Sequence, residues 1–243
     1  MMEILLIMII LFAGSFIQGI SGFGFGLFAM ALLPFLFTVK ESSLLVIALA
    51  LVTSVTIMLK FRKHIDYKSL TYILSAAIAG RIGAFFILNT FGEEEIMKRI
   101  LGAVLILMVI YIFMKKEKKD PALAEKKWLP ISLGFFGGIV GGVFAVGGPF
   151  FVFYFLLLLK DKYAYTATLQ ATFVTTSLLT VTIHLFNGDL GGTFIWYFLA
   201  GAVSVIAGSN LGMHYFSHLS SEKIKVAAGI LIALAGINLI LFN

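Results

Sequence analysis

The chain has 243 residues, of which 60% are hydrophobic and 12% charged, with a net charge of +6 and a mean hydropathy of +1.06. A soluble domain carries about 25% charged residues, so this composition excludes an ordinary water-facing surface and predicts a membrane protein in a lipid bilayer. The basic residues sit in short clusters between apolar runs, which fits cytoplasmic loops and not nucleic acid; the absence of cysteine excludes disulfides, thiol relays and thiolate metal sites.

In chain order, Met1-Met2-Glu3 places no basic stretch before the first apolar run, which argues against a cleaved signal peptide. The apolar segments are 3–38, 42–60, 69–90, 96–114, 129–159, 163–186, 192–213 and 223–242. Between the fourth and fifth lies a Lys-rich linker, 115–128, holding Asp120 and Pro121 and expected in the cytoplasm. It separates repeat 1 (1–114) from repeat 2 (129–243). Each half opens with a long glycine-broken segment and continues with three ordinary spans. A shift of 123 residues aligns Gly14 with Gly137, Gly19 with Gly142, Gly24 with Gly147, and Thr53-Ser54 with Thr176-Ser177. Ordered internal similarity of this kind is how transporter repeats read in sequence.

The long segments pose a length problem. About 35 helical residues reach about 50 Å, against a hydrocarbon core of about 30 Å. A break and return as a helical hairpin resolves it. If 129–159 returns to its starting side, 14 Lys and Arg residues lie on one face and only Lys40, Lys98 and Arg99 on the other; a single crossing gives 10 against 7. The positive-inside rule selects the hairpin. Segment 3–38 is expected to follow by analogy, which puts both termini outside and gives the halves opposite orientations. The expected fold is therefore an all-α polytopic membrane protein of two inverted repeats, each a broken, re-entrant hairpin plus three transmembrane helices.

The breaks run Gln18-Gly19-Ile20-Ser21-Gly22-Phe23-Gly24-Phe25-Gly26 and Gly141-Gly142-Val143-Phe144-Ala145-Val146-Gly147-Gly148-Pro149. Non-helical backbone is tolerated in a membrane only inside protein or beside a wet cavity. Glycine lets a ligand approach main-chain N–H groups, and Pro149 suits the first turn of a new helix. A helix N-terminus so placed binds anions without a basic side chain. The candidate substrate-binding residues are Gln18, Gly19, Ser21, Gly22, Gly24, Arg81, Gly142, Gly147, Gly148, Pro149 and Gln170. Arg81 is the one charge deep within a span, and an intramembrane Arg marks a functional site by default. The competing reading is packing: Gly137-x-x-x-Gly141 and Gly138-x-x-x-Gly142 are small-xxx-small pairs, Arg81 could cap carbonyls, and the Thr-rich run of 163–186 can bond its own helix. His184 and His214 read as interfacial. No Asp or Glu falls in mid-span, so an intramembrane carboxylate relay is not visible. No nucleophile–base pair or metal-ligand cluster appears, so neither an enzyme nor a cofactor is expected.

Taken together, Gly14, the Gln18–Gly24 run and Pro34, with Gly137-Gly138, Gly141-Gly142 and Gly147-Gly148-Pro149, resemble the two repeat signatures of the TauE/SafE sulfite exporter family, the toluene-sulfonate uptake permease superfamily. Gly80-Arg81-Ile82-Gly83 and Gly208-Ser209-Asn210-Leu211-Gly212 resemble its third-helix glycine pairs. The resemblance covers essentially the whole chain. It implies transport of sulfite, a sulfonate or a related sulfur oxyanion across a prokaryotic cytoplasmic membrane. The phenylalanines among the first glycines, and Phe144-Ala145-Val146 in the second, depart from a more polar pattern and leave room for a bulkier sulfonate. The expected function is a secondary transporter, an exporter, of a small sulfur-containing anion. A channel-like anion pathway and a non-transporting membrane scaffold are the rivals. The partners expected are the anion and the bilayer, with a homodimer allowed and no nucleic acid.

Overall fold

A computed structural model describes residues 2–114, 126, 128–216 and 221–242. The Lys-rich linker falls almost entirely outside the described residues. The remainder is helical, with no strand among the described residues. The elements are α1 (Met2–Ser21), α2 (Phe25–Leu32, extended by a 3-10 turn Leu33–Phe35), α3 (Val39–Phe61), α4 (Tyr67–Phe91) and α5 (Glu95–Met114), then α6 (Trp128–Phe144), α7 (Gly148–Leu158), α8 (Lys162–Phe186), α9 (Phe194–His214) and α10 (Ser221–Leu241). Among the described residues six stretches are long and apolar enough to cross a membrane, and α2, α6, α7 and the described part of α10 are shorter apolar helices. Large apolar side chains on the outside, such as Leu5, Phe86, Leu107, Leu178 and Leu234, are exposed. A surface of that kind suits lipid, and the protein is a polytopic, multi-pass membrane protein.

Helix starts follow local capping. Thr38 and Glu41 form a reciprocal capping box, which draws the start of α3 back to Val39, ahead of the expected residue 42. Asp66 and Asp161 cap α4 and α8 through the N–H groups of Ser69 and Ala164. Both long segments fold back on themselves. Gly14, inside α1, packs against Phe25 and Phe28 beyond the first break. Gly137, inside α6, packs against Phe150 and Phe151, and Gly147 sits against Gly137 and Gly141.

The most extensive helix pairs are α4 with α6 and α1 with α9. Both depend on small residues. Gly134 and Gly138 rest on the backbone of Ile73 and Ala77, and Gly80 on that of Phe135. Gly19 meets Ser209 and Gly212, and Gly208 meets Phe12 and Ser15. Between lipid-like surfaces close backbone approach drives association. The glycines of α6 thus divide by face: Gly134, Gly138 and Gly142 meet α4, Gly137 meets α7, and Gly141 lies between the Arg81 guanidinium and Gly147.

The bundle has two polar ends. At one, the Lys40 ammonium pairs with Asp189 at 3.0 Å and Glu93 at 3.7 Å, and the Tyr197 hydroxyl donates to Glu3 at 3.2 Å. Asp189 is held below the usual carboxylate range: burial acts to raise it, but hydrogen bonds from His184, Asn187 and Lys40 outweigh that. At the other end, the Asp66 N–H donates to the Thr168 hydroxyl at 2.9 Å and the Lys162 ammonium to the Phe216 carbonyl at 2.8 Å. His184, expected near the interface, lies at the Lys40 end. It is completely buried, its Nδ1 2.6 Å from Asp189 and its ring against Phe85, because the turn after α8 folds Asp189 back over it.

Candidate functional site

The two breaks share one local design. α1 ends at Ser21 and α6 at Phe144, and in each the next residue is left-handed: Gly22 with φ 80° and Ala145 with φ 58°. The Gly22 N–H closes on the Gln18 carbonyl at 2.8 Å, and the Ala145 N–H on the Gly141 carbonyl at 3.1 Å. A left-handed residue closing such a bond is a standard helix stop. Glycine suits that backbone; alanine is strained there. New helices then start at Phe25, after Gly24 with φ 111°, and at Gly148, with Pro149 in the first turn. Neither start is capped by a side chain. Their first N–H groups therefore lack intrahelical partners and carry partial positive charge.

Both starts open on one cavity of about 40 Å³. Gly24, Gly26 and Leu27 line it from the first hairpin, and Ala145 through Pro149 from the second. Arg81, Gln18, Ser177 and the apolar Phe23, Ile47, Ala50, Phe151 and Phe173 complete the wall. The two tips touch here, since a Cβ on Gly26 would collide with the Ala145 carbonyl. The cavity lies near the middle of α3, α4 and α8, at the level of Ile47, Arg81 and Phe173.

Arg81 is 5% exposed. Its guanidinium donates to Thr180 at 3.2 Å and, more weakly, to Thr176 at 3.5 Å. Those hydroxyls donate in turn to the Thr176 and Thr172 carbonyls, so their lone pairs are aimed at the guanidinium. The Arg81 Nε has no partner, and no carboxylate pairs with Arg81 among the described residues. A buried, uncompensated cation beside two helix N-termini is a site of positive potential, and the ligand it suits is an anion.

Of the residues expected from sequence, Gln18, Gly24, Arg81, Gly147, Gly148 and Pro149 come together at the cavity. The others do not line it. Gly19 packs on α9, Gly142 on Ala84 and the aliphatic part of Arg81, and Gly22 on Tyr165, Thr166 and Leu169. The Ser21 hydroxyl turns back to the Ile17 and Phe23 carbonyls, at 2.8 and 2.6 Å. Gln170 donates to the Gly22 carbonyl at 2.6 Å and accepts from Gln18 at 3.0 Å, while Gln18 also donates to Ser54 at 3.1 Å. Both amide hydrogens of Gln18 are thereby engaged with protein. Sequence reasoning missed Gly26, Phe23, Ala145 and the Thr176–Thr180 support. The i, i+4 spacing of Thr172, Thr176 and Thr180 was the available signal for the last.

A second, larger cavity of about 260 Å³ lies at the Lys40 end, lined by Lys40, Glu41, Glu93, Asp189 and Tyr197 among others. Three carboxylates against one ammonium make it a poor resting place for an anion.

The family model described as Sulfite exporter TauE/SafE matches residues 6–239, nearly the whole chain. The chain belongs to this family. No curated protein and no solved structure matches it. A TauE/SafE protein is a membrane transporter of the sulfur-anion exporter type and not an enzyme, so its cavity is to be judged by how it holds and releases an anion. The match takes in both broken helices, α4 with Arg81, and α8 with its threonines.

Proposed function

We propose that this protein is a secondary transporter that exports a small sulfur oxyanion, sulfite being the leading case, across the prokaryotic cytoplasmic membrane. One observation carries the reading: two helix N-termini without side-chain caps and Arg81, which has no carboxylate partner among the described residues, converge on a single buried cavity. Its size supports a small inorganic ion. At roughly 10–15 Å³ per water-sized group, 40 Å³ has room for about three such groups. An aromatic sulfonate would need the cavity walls to part.

The two halves act as inverted repeats, each hairpin-plus-spans unit rocking against the other around the site. Support comes from the helix limits. With the shift of 123 residues, the ends of α1 and α6, the left-handed residues, the starts of α2 and α7, and the caps Thr38 and Asp161 all correspond. The main contacts correspond as well, since exchanging the halves turns the α4–α6 pair into α9–α1. The Lys162 end faces the cytoplasm, in keeping with Lys160 beside it in sequence and with Arg62, Lys63 and Lys68, which flank the Asp66 turn bonded to Thr168 at this end. With the cell interior negative, moving one negative charge outward is favourable by about 2.3 kcal/mol per 100 mV, so export needs no coupling ion.

The test is flux in proteoliposomes with sulfite, thiosulfate and organosulfonates, with and without an imposed potential. Sulfite flux that accelerates when the cytoplasmic face is made negative is the expected result. No flux of any sulfur anion would overturn the substrate assignment, and single-channel currents would replace the carrier by a channel.

A further inference from the structure

Ser43 and Thr166 occupy the same place in the two halves. Each is the fifth residue of its helix, Ser43 in α3 after the Thr38 cap and Thr166 in α8 after the Asp161 cap, and each is buried. Each also lies beside the end of the other half's broken helix. The Ser43 hydroxyl donates to the Val143 carbonyl at 2.7 Å, in the last turn of α6. The position matching Val143 is Ile20, in the last turn of α1. Thr166 lies next to that turn, with a Cβ on Gly22 falling 3.7 Å from its hydroxyl. Yet the Thr166 hydroxyl has no partner. Other threonines of α8, at 172, 175, 176 and 180, each donate to the carbonyl four residues back. Thr166 alone in that helix is buried with its hydroxyl unbonded.

One bond of a matched pair is therefore made and the other is open. An inverted-repeat carrier exchanges the conformations of its two halves when it turns over. We infer that Ser43 and Thr166 are alternating latches: Ser43 on Val143 closes the cavity toward the Lys40 end in the state seen here, and Thr166 on the Ile20 carbonyl closes it toward the Lys162 end in the opposite state. Gln170, which holds Gly22 from α8, cannot alternate in this way, because Ile47 stands at its matching position. The inference rests on the alternating-access reading above.

The chain has no cysteine, so a single probe can be placed cleanly. Ala50→Cys puts a thiol in the cavity wall, and a membrane-impermeant maleimide is applied from either face of oriented vesicles. Losing one hydrogen bond of about 1 kcal/mol changes a two-state ratio roughly 5-fold. Ser43→Ala should raise labelling from the Lys40 face about 5-fold relative to the Lys162 face. Thr166→Val should shift the ratio about as far the other way, Thr166→Ser should leave it unchanged, and the double variant should return near the starting ratio. Ser43→Ala and Thr166→Val moving the ratio in the same direction, or neither moving it, overturns the latches. That outcome is distinct from failure of alternating access itself, in which one label would leave both faces reactive in a doubly accessible, sulfite-conducting protein.

Discussion

Arg81 offers the sharpest test, because a binding role and a structural role predict opposite signs. A buried cation without a counter-ion destabilises the empty protein, so replacing it with a neutral side chain of similar length relieves that cost. Exchanging buried ionic groups for apolar ones is neutral or stabilising by about 1–4 kcal/mol. At about 2–4 °C per kcal/mol for a chain of this size, Arg81→Met should raise the unfolding temperature of the ligand-free protein by several degrees. The same change removes charge-assisted hydrogen bonds to the anion. Those contribute about 1.5–3 kcal/mol, so sulfite affinity should fall roughly 10- to 150-fold. Arg81→Ala should weaken sulfite binding at least as much. Arg81→Lys keeps the charge and loses the planar fork that reaches Thr176 and Thr180, so it should bind between Arg and Ala. The assay is thermal unfolding of detergent-purified protein across a sulfite series, from which ligand-free stability and affinity are both read. A lower unfolding temperature for Arg81→Met together with equal sulfite affinity in all four proteins would refute the reasoning and leave Arg81 as a brace.

Four further outcomes are expected. Ala145→Gly should raise the unfolding temperature slightly, because relief of a left-handed alanine, about 1–2 kcal/mol, exceeds the entropic cost of glycine, about 0.5–1 kcal/mol; a fall would show that Ala145 is unstrained. Gly80→Ala should cripple folded yield, as its Cβ would strike the Phe135 carbonyl, whereas Gly148→Ala should fold, its nearest neighbour being Phe173 at 3.5 Å, and alter sulfite affinity. Gly26→Ala should part the two hairpin tips at Ala145 and be seen as lost flux; undiminished flux would count against a working contact there. Asp189 has a lowered pKa, so its contribution is present above the ordinary carboxylate range and is lost as pH falls through the lowered value. Wild type should accordingly lose stability relative to Asp189→Asn on strong acidification, and a pH-independent difference between the two would contradict this.

How far the chain could be read from its sequence depended on whether a feature was local. The spans were legible because each carries its own apolar length, and the breaks because glycine and Pro149 mark them without reference to anything distant. What a glycine faces is a different matter. Gly24 and Gly19 stand five residues apart in one run, yet one lines the cavity and the other packs on α9. Nothing within the run separates them, since the distinction is made by α9 arriving from the far half. Ala145 was missed for the converse reason: a left-handed cap normally advertises itself by glycine, and here alanine takes that backbone at a tip packed against Gly26. His184 lies near the end of α8 as its place in the sequence suggests, but its burial beneath the returning Asp189 was not legible there.

Under the proposed anion site, the unequal endowment of the two halves follows from what the cavity would hold. In the two-repeat reading, Gln18 of the first half matches Gly141, Gln170 of the second matches Ile47, and the Gly80-Arg81 pair faces Gly208-Ser209. A symmetric protein with a second Arg at Ser209 would bury two uncompensated cations, a destabilisation of several kcal/mol per ion that a monovalent ligand could not balance. Divergence leaves one cation and lets backbone N–H groups of both halves supply the remaining polarity. Under the proposed alternating access those donors sit on the helices that move, so an anion bound between them would hold the hairpins together when present. The same groups are left with only partial charge when it departs, which makes the empty site tolerable in either state. A carrier whose whole attraction lay in side-chain cations would gain affinity but would lose that ease of return.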